Sequence, residues 1–206
     1  GFENFRGMGG DDFIDGGAGD NDRADYLSSR ENVFVDLSAG IAQDGQGGTD
    51  PLVNIERVRG TDRGNDTLIG DAGNNKLEGR DGDDTLIGGE GRNTLRGDAG
   101  DDTLEGGSGQ DFLTGGSGND VLIGGDGDGD TASYSNASSG IVADLSAGVV
   151  QDGDGGEDTL TDIERINGSD HNDAIFDSDG DDNLQGNAGN DVLVSGAGQD
   201  FLTGDE

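Results

Sequence analysis

Large apolar residues return at every ninth position through the middle of the chain, separated mainly by glycine and by acidic or polar residues. Seven nine-residue units follow one another between Asp66 and Gly129 without a change of register. A leucine occupies the same place in every unit: Leu68, Leu77, Leu86, Leu95, Leu104, Leu113 and Leu122. Since successive side chains of a strand point to opposite faces, a run such as Thr85–Ile87 predicts a very short strand with one inward side chain.

The sequence G-G-x-G-x-D/N between these strands predicts a tight turn. Repeated positive φ angles, or the close approach of two backbones, are accommodated at low cost only by glycine, which has no Cβ. We expect two units to make one full coil, so that turns eighteen residues apart stack on one edge. The complete unit, G-G-x-G-x-D-x-Leu-x, is the nonapeptide of a calcium-binding parallel β-helix. The predicted fold class is therefore all-β, a parallel β-roll (a β-helix or solenoid) with two irregular inserted strand and loop segments.

The acid that opens each unit makes the stacked turns candidate metal sites. Carboxylate and carbonyl oxygens in a flexible cage are the ligands that Ca²⁺ prefers, whereas Mg²⁺ requires a tighter octahedron. We therefore predict that several Ca²⁺ ions bind between the turns. The acids expected on one edge are Asp66, Asp84, Asp102 and Asp120. The other edge has Asn75, Asn93, Asp111 and, after one extra residue, Asp130.

The two edges should differ in their affinity for calcium. Asparagine supplies an oxygen but no charge, so the turns of Asn75 and Asn93 are expected to bind the ion weakly or not at all. Asp177 and Ser195 replace the first glycine of their units, which predicts distorted turns. Acids at the same repeat position outside the central block are Asp12, Asp173, Asp182, Asp191 and Asp200.

Composition explains why such a fold would need ions. Glycine accounts for 44 of 206 residues, hydrophobic residues make up 28% of the chain, and the formal net charge is −35. A chain of this kind is ordinarily disordered, because it cannot bury enough apolar surface to offset its conformational entropy. The unbroken repeat favours a fold, but only with calcium. The negative charge argues against nucleic acid as a partner, no apolar run is long enough to insert into a membrane, and no cysteine is available for disulfides.

A longer repeat lies above the nonapeptides. Residues 22–63 align without gaps on residues 130–171, a shift of 108 positions. Alternating apolar residues in each copy predict half-buried strands, and Asp44–Gly48 and Asp152–Gly156 predict loops. Neither copy has enough apolar residues for a core of its own. We expect both to be irregular coils of the same solenoid that carry a protruding strand or loop.

These patterns divide the chain into five segments. We expect the end of a preceding β-roll block at 1–21, the first linker at 22–63, the seven nonapeptides at 64–129, the second linker at 130–171 and the start of a further block at 172–206. Since the chain begins inside one large repeat and ends inside another, it looks like a piece of a longer exoprotein.

Other chemistry receives little support from the sequence. Asp126–Asp130 begins like an EF-hand loop, but Thr131 replaces the turn glycine and Ala137 the bidentate glutamate. His171 is the only histidine, so a zinc site or a histidine-based triad is not expected. Its expected place is an exposed turn. Tyr26 and Tyr134 are read as rings that cover the end of a nonapeptide stack, with sugar stacking as the alternative. We do not expect an enzyme.

The nonapeptides resemble the RTX (repeats-in-toxin, hemolysin-type calcium-binding) family across Gly70–Asp130, Gly7–Gly19 and Gly168–Glu206. The resemblance implies a parallel β-roll, Ca²⁺ in stacked turns and export by type I secretion. It also implies that the aspartate at position six of the unit ligates through its carboxylate, and the glycine at position four through its carbonyl. The implied pairs are Gly82/Asp84, Gly100/Asp102, Gly109/Asp111, Gly118/Asp120, Gly189/Asp191 and Gly198/Asp200. Further predicted ligands are Gly127, Asp130, Gly180 and Asp182.

Two classes of function follow. The first is a structural and folding module of a large secreted bacterial exoprotein, disordered without Ca²⁺ and folded outside the cell. The alternative is a calcium-dependent polysaccharide-binding module of a secreted enzyme such as an alginate epimerase. The expected partners are calcium ions and the rest of the exoprotein, with a glycan or end-to-end self-association left open.

Overall fold

The structure, a computed structural model, describes residues 1–204. Asp205 and Glu206, the last two residues of the predicted fifth segment, lie outside the described residues. Within the described range the chain forms 23 short strands. In chain order they are β1 (Asn4–Phe5), β2 (Ile14–Asp15), β3 (Arg23–Asp25), β4 (Phe34–Asp36), β5 (Ile41–Gln43), β6 (Thr49–Val53), β7 (Arg57–Arg59), β8 (Thr67–Ile69), β9 (Lys76–Asp81), β10 (Thr85–Gly89), β11 (Thr94–Ala99), β12 (Thr103–Ser108), β13 (Phe112–Ser117), β14 (Val121–Asp126), β15 (Thr131–Ser133), β16 (Val142–Asp144), β17 (Val149–Gln151), β18 (Glu157–Thr161), β19 (Arg165–Asn167), β20 (Ala174–Phe176), β21 (Asn183–Gln185), β22 (Val192–Val194) and β23 (Phe201–Thr203).

The strands form two sheets, and in the nonapeptide block successive strands alternate between them. One sheet has ten strands in the order β1-β3-β7-β9-β11-β13-β15-β19-β21-β23. The other has thirteen, in the order β2-β6-β5-β4-β8-β10-β12-β14-β18-β17-β16-β20-β22. Strands of successive coils pair in parallel, as β10 does with β8 and β12. This architecture confirms the predicted parallel β-roll.

The register places identical positions of the repeat over one another. Leu86 pairs with Leu68 and Leu104 in one sheet, and Leu95 pairs with Leu77 and Leu113 in the other. All seven repeat leucines have 0% exposure, so the core is a double column of single side chains. The residues on either side of them are half-buried or exposed. Each strand of the nonapeptide block therefore contributes one inward side chain to the core, as expected from the sequence.

After β8, which has the predicted three residues, the strands of the central block are longer. β9 and β11 to β14 each contain six residues and continue into the glycines of the following turn. Pairing continues because the same turn positions meet in register, as Gly89 does with Gly107 and Asp98 with Gly116. The stacked turns are therefore held together by backbone pairing.

The two linker segments form antiparallel meanders within the sheet. β4, β5 and β6 pair antiparallel in sequence, and so do β16, β17 and β18. The outer strands of the second meander join the roll in parallel, β18 to β14 and β16 to β20. All three strands occupy positions in the sheet and bury Ala143, Val150 and Leu160, so the segments are strand and loop insertions of the same solenoid.

The described residues include no helix that is long and apolar enough to cross a membrane.

Candidate metal centre

The regular nonapeptide turns with an aspartate are built around contact between the first glycine and the aspartate five residues later. A Cβ added to Gly97 would overlap Oδ2 of Asp102, and one on Gly115 would overlap Oδ2 of Asp120. The same relation holds between Gly106 and Asp111. The missing glycine side chain thus leaves the space in which the carboxylate folds back into its own turn.

One carboxylate oxygen, Oδ1, ties neighbouring coils together. The backbone N–H of Asp84 donates to Oδ1 of Asp102 at 2.7 Å, and that of Asp102 donates to Oδ1 of Asp120 at 2.9 Å. On the other edge the N–H of Asp111 donates to Oδ1 of Asp130 at 2.7 Å. Because each of these bonds spans one coil, they form a ladder along the roll.

The second oxygen, Oδ2, has no hydrogen-bond partner in the turns that carry this ladder. These atoms are buried, and a buried polar atom without a partner is costly unless something compensates it. A divalent cation between the turns would supply that compensation, so the donor set fits a hard metal ion. The repeat residues with such an oxygen are Asp84, Asp102, Asp111, Asp120, Asp130 and Asp191.

Backbone carbonyls of the position-four glycines stack beside these carboxylates. Gly82, Gly100 and Gly118 have φ angles of +127°, +134° and +131°. A Cβ on Gly100 would overlap the carbonyl oxygen of Gly82, and one on Gly118 would overlap that of Gly100. The position therefore requires glycine both for its φ and because the carbonyl of the preceding coil lies against it. A column of carbonyl oxygens results.

The column of acids is unfavourable when no cation is bound. Burial raises the pKa of Asp102 to about 8, with the charges of Asp120 and Asp84 contributing. Burial likewise raises the pKa of Asp84 to about 7 and that of Asp120 to about 6. At neutral pH the ion-free turns would hold carboxylates that are difficult to ionise, and bound cations would remove this difficulty.

The asparagine edge is arranged differently. Asn93 accepts the N–H of Asn75 through Oδ1 at 3.0 Å, as an aspartate would. Its Nδ2, however, donates to the carbonyl oxygens of Glu90 and Gly106, both at 3.2 Å. The amide group thus occupies turn oxygens that a cation would otherwise share.

Two predicted ligands already have both oxygens in use. Asp66 accepts the N–H of Val33 at 2.8 Å and that of Thr61 at 2.6 Å. Asp173 accepts the N–H groups of Ile141 and Ser169, both at 2.8 Å. Each caps the turn where a linker re-enters the roll, so neither offers a free oxygen of the kind seen at Asp102.

The remaining predicted acids lie in less regular surroundings. Asp12 is half-buried, and its N–H donates to Oδ1 of Asp50 at 3.0 Å. Asp182 and Asp200 come together with Asp177, and ligand atoms of all three lie within 4.8 Å of one another. Asp177, which replaces the first glycine of its unit, thus adds a third carboxylate to this cluster.

Five further aspartates carry the same kind of buried, unpartnered oxygen but were not predicted. They are Asp22, Asp44, Asp50, Asp152 and Asp158. Asp22 could have been found, because the spacing from Gly16 to Asp22 matches that from Gly124 to Asp130. The other four lie in segments that the sequence predicts to be loops and linker strands.

The single histidine is exposed and the two tyrosines are buried. His171 is exposed on a turn. Tyr26 and Tyr134 are 3% and 5% exposed, so neither ring offers a face to a sugar.

The geometry agrees with the comparison to known families. A profile of the RTX calcium-binding nonapeptide repeat matches the chain four times, at residues 1–22, 61–95, 96–130 and 167–204, which together exceed half of its length. The chain belongs to the RTX calcium-binding repeat family. RTX nonapeptides bind several Ca²⁺ ions, so calcium is the cation for these turns. A comparison with curated proteins found no match.

Proposed function

We propose that this RTX chain is a calcium-dependent folding and structural module of a secreted bacterial exoprotein. The observation that carries the proposal is the column of buried aspartates whose Oδ2 atoms lack partners. Calcium bound to these oxygens would complete the turns, and the free energy of binding would appear as stability of the roll.

We assign the ligands by repeat position. Oδ2 of the position-six aspartate and the carbonyl of the position-four glycine would hold each ion, as at Asp102 with Gly100 and at Asp120 with Gly118. The support is that both oxygen columns follow the same edge of the roll and that each requires a glycine beside it. Bound calcium supplies positive charge between the coils, and Oδ1 keeps its separate role of joining the coils.

The same arrangement makes folding conditional on calcium. The core consists of one buried side chain per strand, and the net charge is −35. Without cations, the conformational entropy and the repulsion between stacked acids both oppose the fold. Cytosolic calcium is scarce, so the chain would remain unfolded for type I export and fold outside the cell. RTX repeats are typical of secreted proteins, and this context supports the proposed extracellular location.

The five segments would then act as one continuous rod. Both linker meanders pair with nonapeptide strands on either side, as β4 does with β8 and β16 with β20. We therefore propose that 22–63 and 130–171 are spacers built into the solenoid, and that this stretch of the exoprotein has no catalytic role.

A calcium titration followed by far-ultraviolet circular dichroism tests the proposal. The chain should be disordered in chelator and gain β-signal cooperatively at about millimolar Ca²⁺, the range of extracellular modules. Magnesium at the same concentration is the control and should give much less signal. A chain that keeps its full β-signal in EDTA would overturn the proposal.

One observation favours a second function, calcium-dependent binding of an acidic glycan. Arg23, Arg57 and Lys76 form a row across three neighbouring strands of the ten-stranded sheet. Each forms an ion pair, Arg23 with Asp25 and both Arg57 and Lys76 with Glu78, so an anionic sugar chain would compete with these carboxylates for the row. Affinity for an acidic polysaccharide should then fall on Arg57→Gln and need calcium. If the folded chain has no measurable affinity for such glycans, this function is excluded.

A further inference from the structure

The two linker meanders contain buried acids of their own. These acids lie outside the residues that the RTX profile matches. In the second copy these are Asp152 and Asp158, with 1% and 0% exposure. The first copy has Asp44 and Asp50, likewise 1% and 0% exposed. All four have an Oδ2 atom without a hydrogen-bond partner.

Asp152 has one oxygen committed to its loop and the other free. Its Oδ1 accepts the N–H groups of Asp154, Gly155 and Gly156 at 2.9, 2.8 and 2.8 Å. The loop is therefore shaped by Oδ1 alone. A Cβ on Gly156 would overlap the carbonyl oxygen of Gly118 and lie 2.9 Å from Oδ2 of Asp152. Both oxygens thus approach the same point, where the linker loop stacks on a nonapeptide turn.

Asp158 brings a second carboxylate to this place. Its Oδ1 accepts the N–H of Asp120 at 2.9 Å, which continues the ladder across 38 residues of sequence. Oδ2 of Asp158 and Oδ2 of Asp120 are both without partners. The linker loop therefore takes the position of the next nonapeptide turn, although it does not have the nonapeptide sequence.

A buried tyrosine borders the same point. The hydroxyl of Tyr134 has no hydrogen-bond partner. Its ring lines one small cavity together with Asp152 and Asp154, at the loop that carries the proposed ligand.

The first copy repeats the arrangement. Tyr26, Asp44 and Asp50 stand 108 positions before Tyr134, Asp152 and Asp158, and Tyr26 is likewise buried with a hydroxyl that has no hydrogen-bond partner. A Cβ on Gly48 would overlap the carbonyl oxygen of Gly10 and lie 2.8 Å from Oδ2 of Asp44. The same oxygens converge twice in one chain, so the arrangement is a property of the linker and not an accident of one loop.

We propose that each linker provides a Ca²⁺ site of its own, formed by Asp152, Asp158 and the Gly118 carbonyl in one copy and by Asp44, Asp50 and the Gly10 carbonyl in the other. The proposal extends the calcium binding proposed for the nonapeptides to a sequence that the RTX unit does not describe. With these sites the linkers would be calcium-bound turns that join successive nonapeptide blocks. The column of ions would then continue from Asp120 into the meander.

Terbium luminescence tests this inference directly. Tb³⁺ replaces Ca²⁺ at oxygen sites and emits when a nearby tyrosine is excited. The chain has two tyrosines and no tryptophan, and each tyrosine borders one proposed site. Tyrosine-sensitised emission should therefore report these two sites before any other.

The ligand variants are Asp44→Asn, Asp152→Asn and the double variant. Asparagine retains an oxygen that can accept the loop N–H groups but loses the anionic Oδ2. Each single variant should lose about half of the sensitised emission, and the double variant should lose nearly all of it together with two bound Ca²⁺ per chain by equilibrium dialysis. Glu157→Gln, which removes an exposed carboxylate next to Asp158, is the matched control and should change neither.

The outcomes separate this inference from the proposed function. If the double variant keeps the wild-type emission and calcium count while it folds with calcium, the linker sites are refuted and the nonapeptide function stands. If wild-type chain shows no calcium-dependent folding, the proposed function fails first. Should an aspartate variant not fold, Tyr134→Phe provides the second test: it leaves the carboxylates intact and should remove about half of the emission with an unchanged calcium count. Unaltered emission would refute the site.

Discussion

Asp84 and Asp102, one coil apart, are joined by a hydrogen bond from the backbone N–H of Asp84 to Oδ1 of Asp102 at 2.7 Å. The other oxygen of Asp102 is buried and has no partner. One side chain therefore fixes the spacing of two coils and offers an anionic oxygen to the gap between them. Because both tasks fall on the same residue, coil stacking and ion binding are coupled along the edge.

The two roles of Asp102 can be separated by substitution. Asp102→Asn keeps an Oδ1 that can accept from Asp84 but removes the negative oxygen. We expect the calcium midpoint of folding to rise about tenfold, equivalent to about 1.4 kcal/mol, as measured by circular dichroism. Asp101→Asn removes the same charge from an exposed neighbour and should change the midpoint little. Equal effects of the two variants would contradict the assigned role of Oδ2.

The opposite change should create a site on the weak edge. Asn93→Asp removes the Nδ2 group that donates to the carbonyls of Glu90 and Gly106 and adds a carboxylate oxygen beside them. We expect one additional bound Ca²⁺ per chain by equilibrium dialysis, and a chain that is less stable in chelator because another acid joins the column. An unchanged calcium count would show that this turn does not bind an ion even with a carboxylate.

The sequence was sufficient for the parts of the fold that repeat. The nine-residue spacing of Leu86, Leu95 and Leu104 predicted the single-file core, since one buried side chain per strand is a local property of each unit. The stacking of turns eighteen residues apart followed from the same period. Both are confirmed by the strand register.

The linkers could not be predicted in the same way, because their roles depend on which turn stacks on which. Asp66 reads like any opening aspartate of the repeat, yet its oxygens are used by Val33 and Thr61. Asp152 reads as a loop residue and Asp158 as part of the linker, yet the meander brings Asp158 to Asp120, 38 residues before it. Only the three-dimensional path of the chain brings these groups together.

The position-four glycines should be intolerant of alanine wherever a coil lies beneath them. Gly100 has φ +134°, and a Cβ there would overlap the carbonyl of Gly82. We expect Gly100→Ala to lower the free energy of unfolding in calcium by about 1–2 kcal/mol or more. Thermal unfolding measures this change.

Gly73→Ala is the matched control for this prediction. Gly73 occupies the same repeat position, but a Cβ there would meet only Oδ1 of Asp71, at 3.1 Å. Its effect should stay within about 0.5 kcal/mol. If both variants lose the same stability, the stacked carbonyl is not what requires glycine at Gly100.

Acid should act in opposite directions with and without calcium. Burial raises the pKa of Asp84 to about 7, of Asp102 to about 8 and of Asp120 to about 6, from an ordinary value of 3.8. The folded, ion-free chain therefore binds more protons than the unfolded chain between about pH 4 and pH 8. The stability that these groups contribute is fully present below about pH 4 and is lost as the pH rises through the folded pKa values. In chelator the β-signal should thus increase as the pH is lowered from 8 towards 4.

In calcium, protons compete with the ion for the same oxygens, so the calcium midpoint of folding should rise as the pH is lowered over the same interval. Circular dichroism at several pH values measures both, and a midpoint that falls on acidification would contradict ligation by these carboxylates.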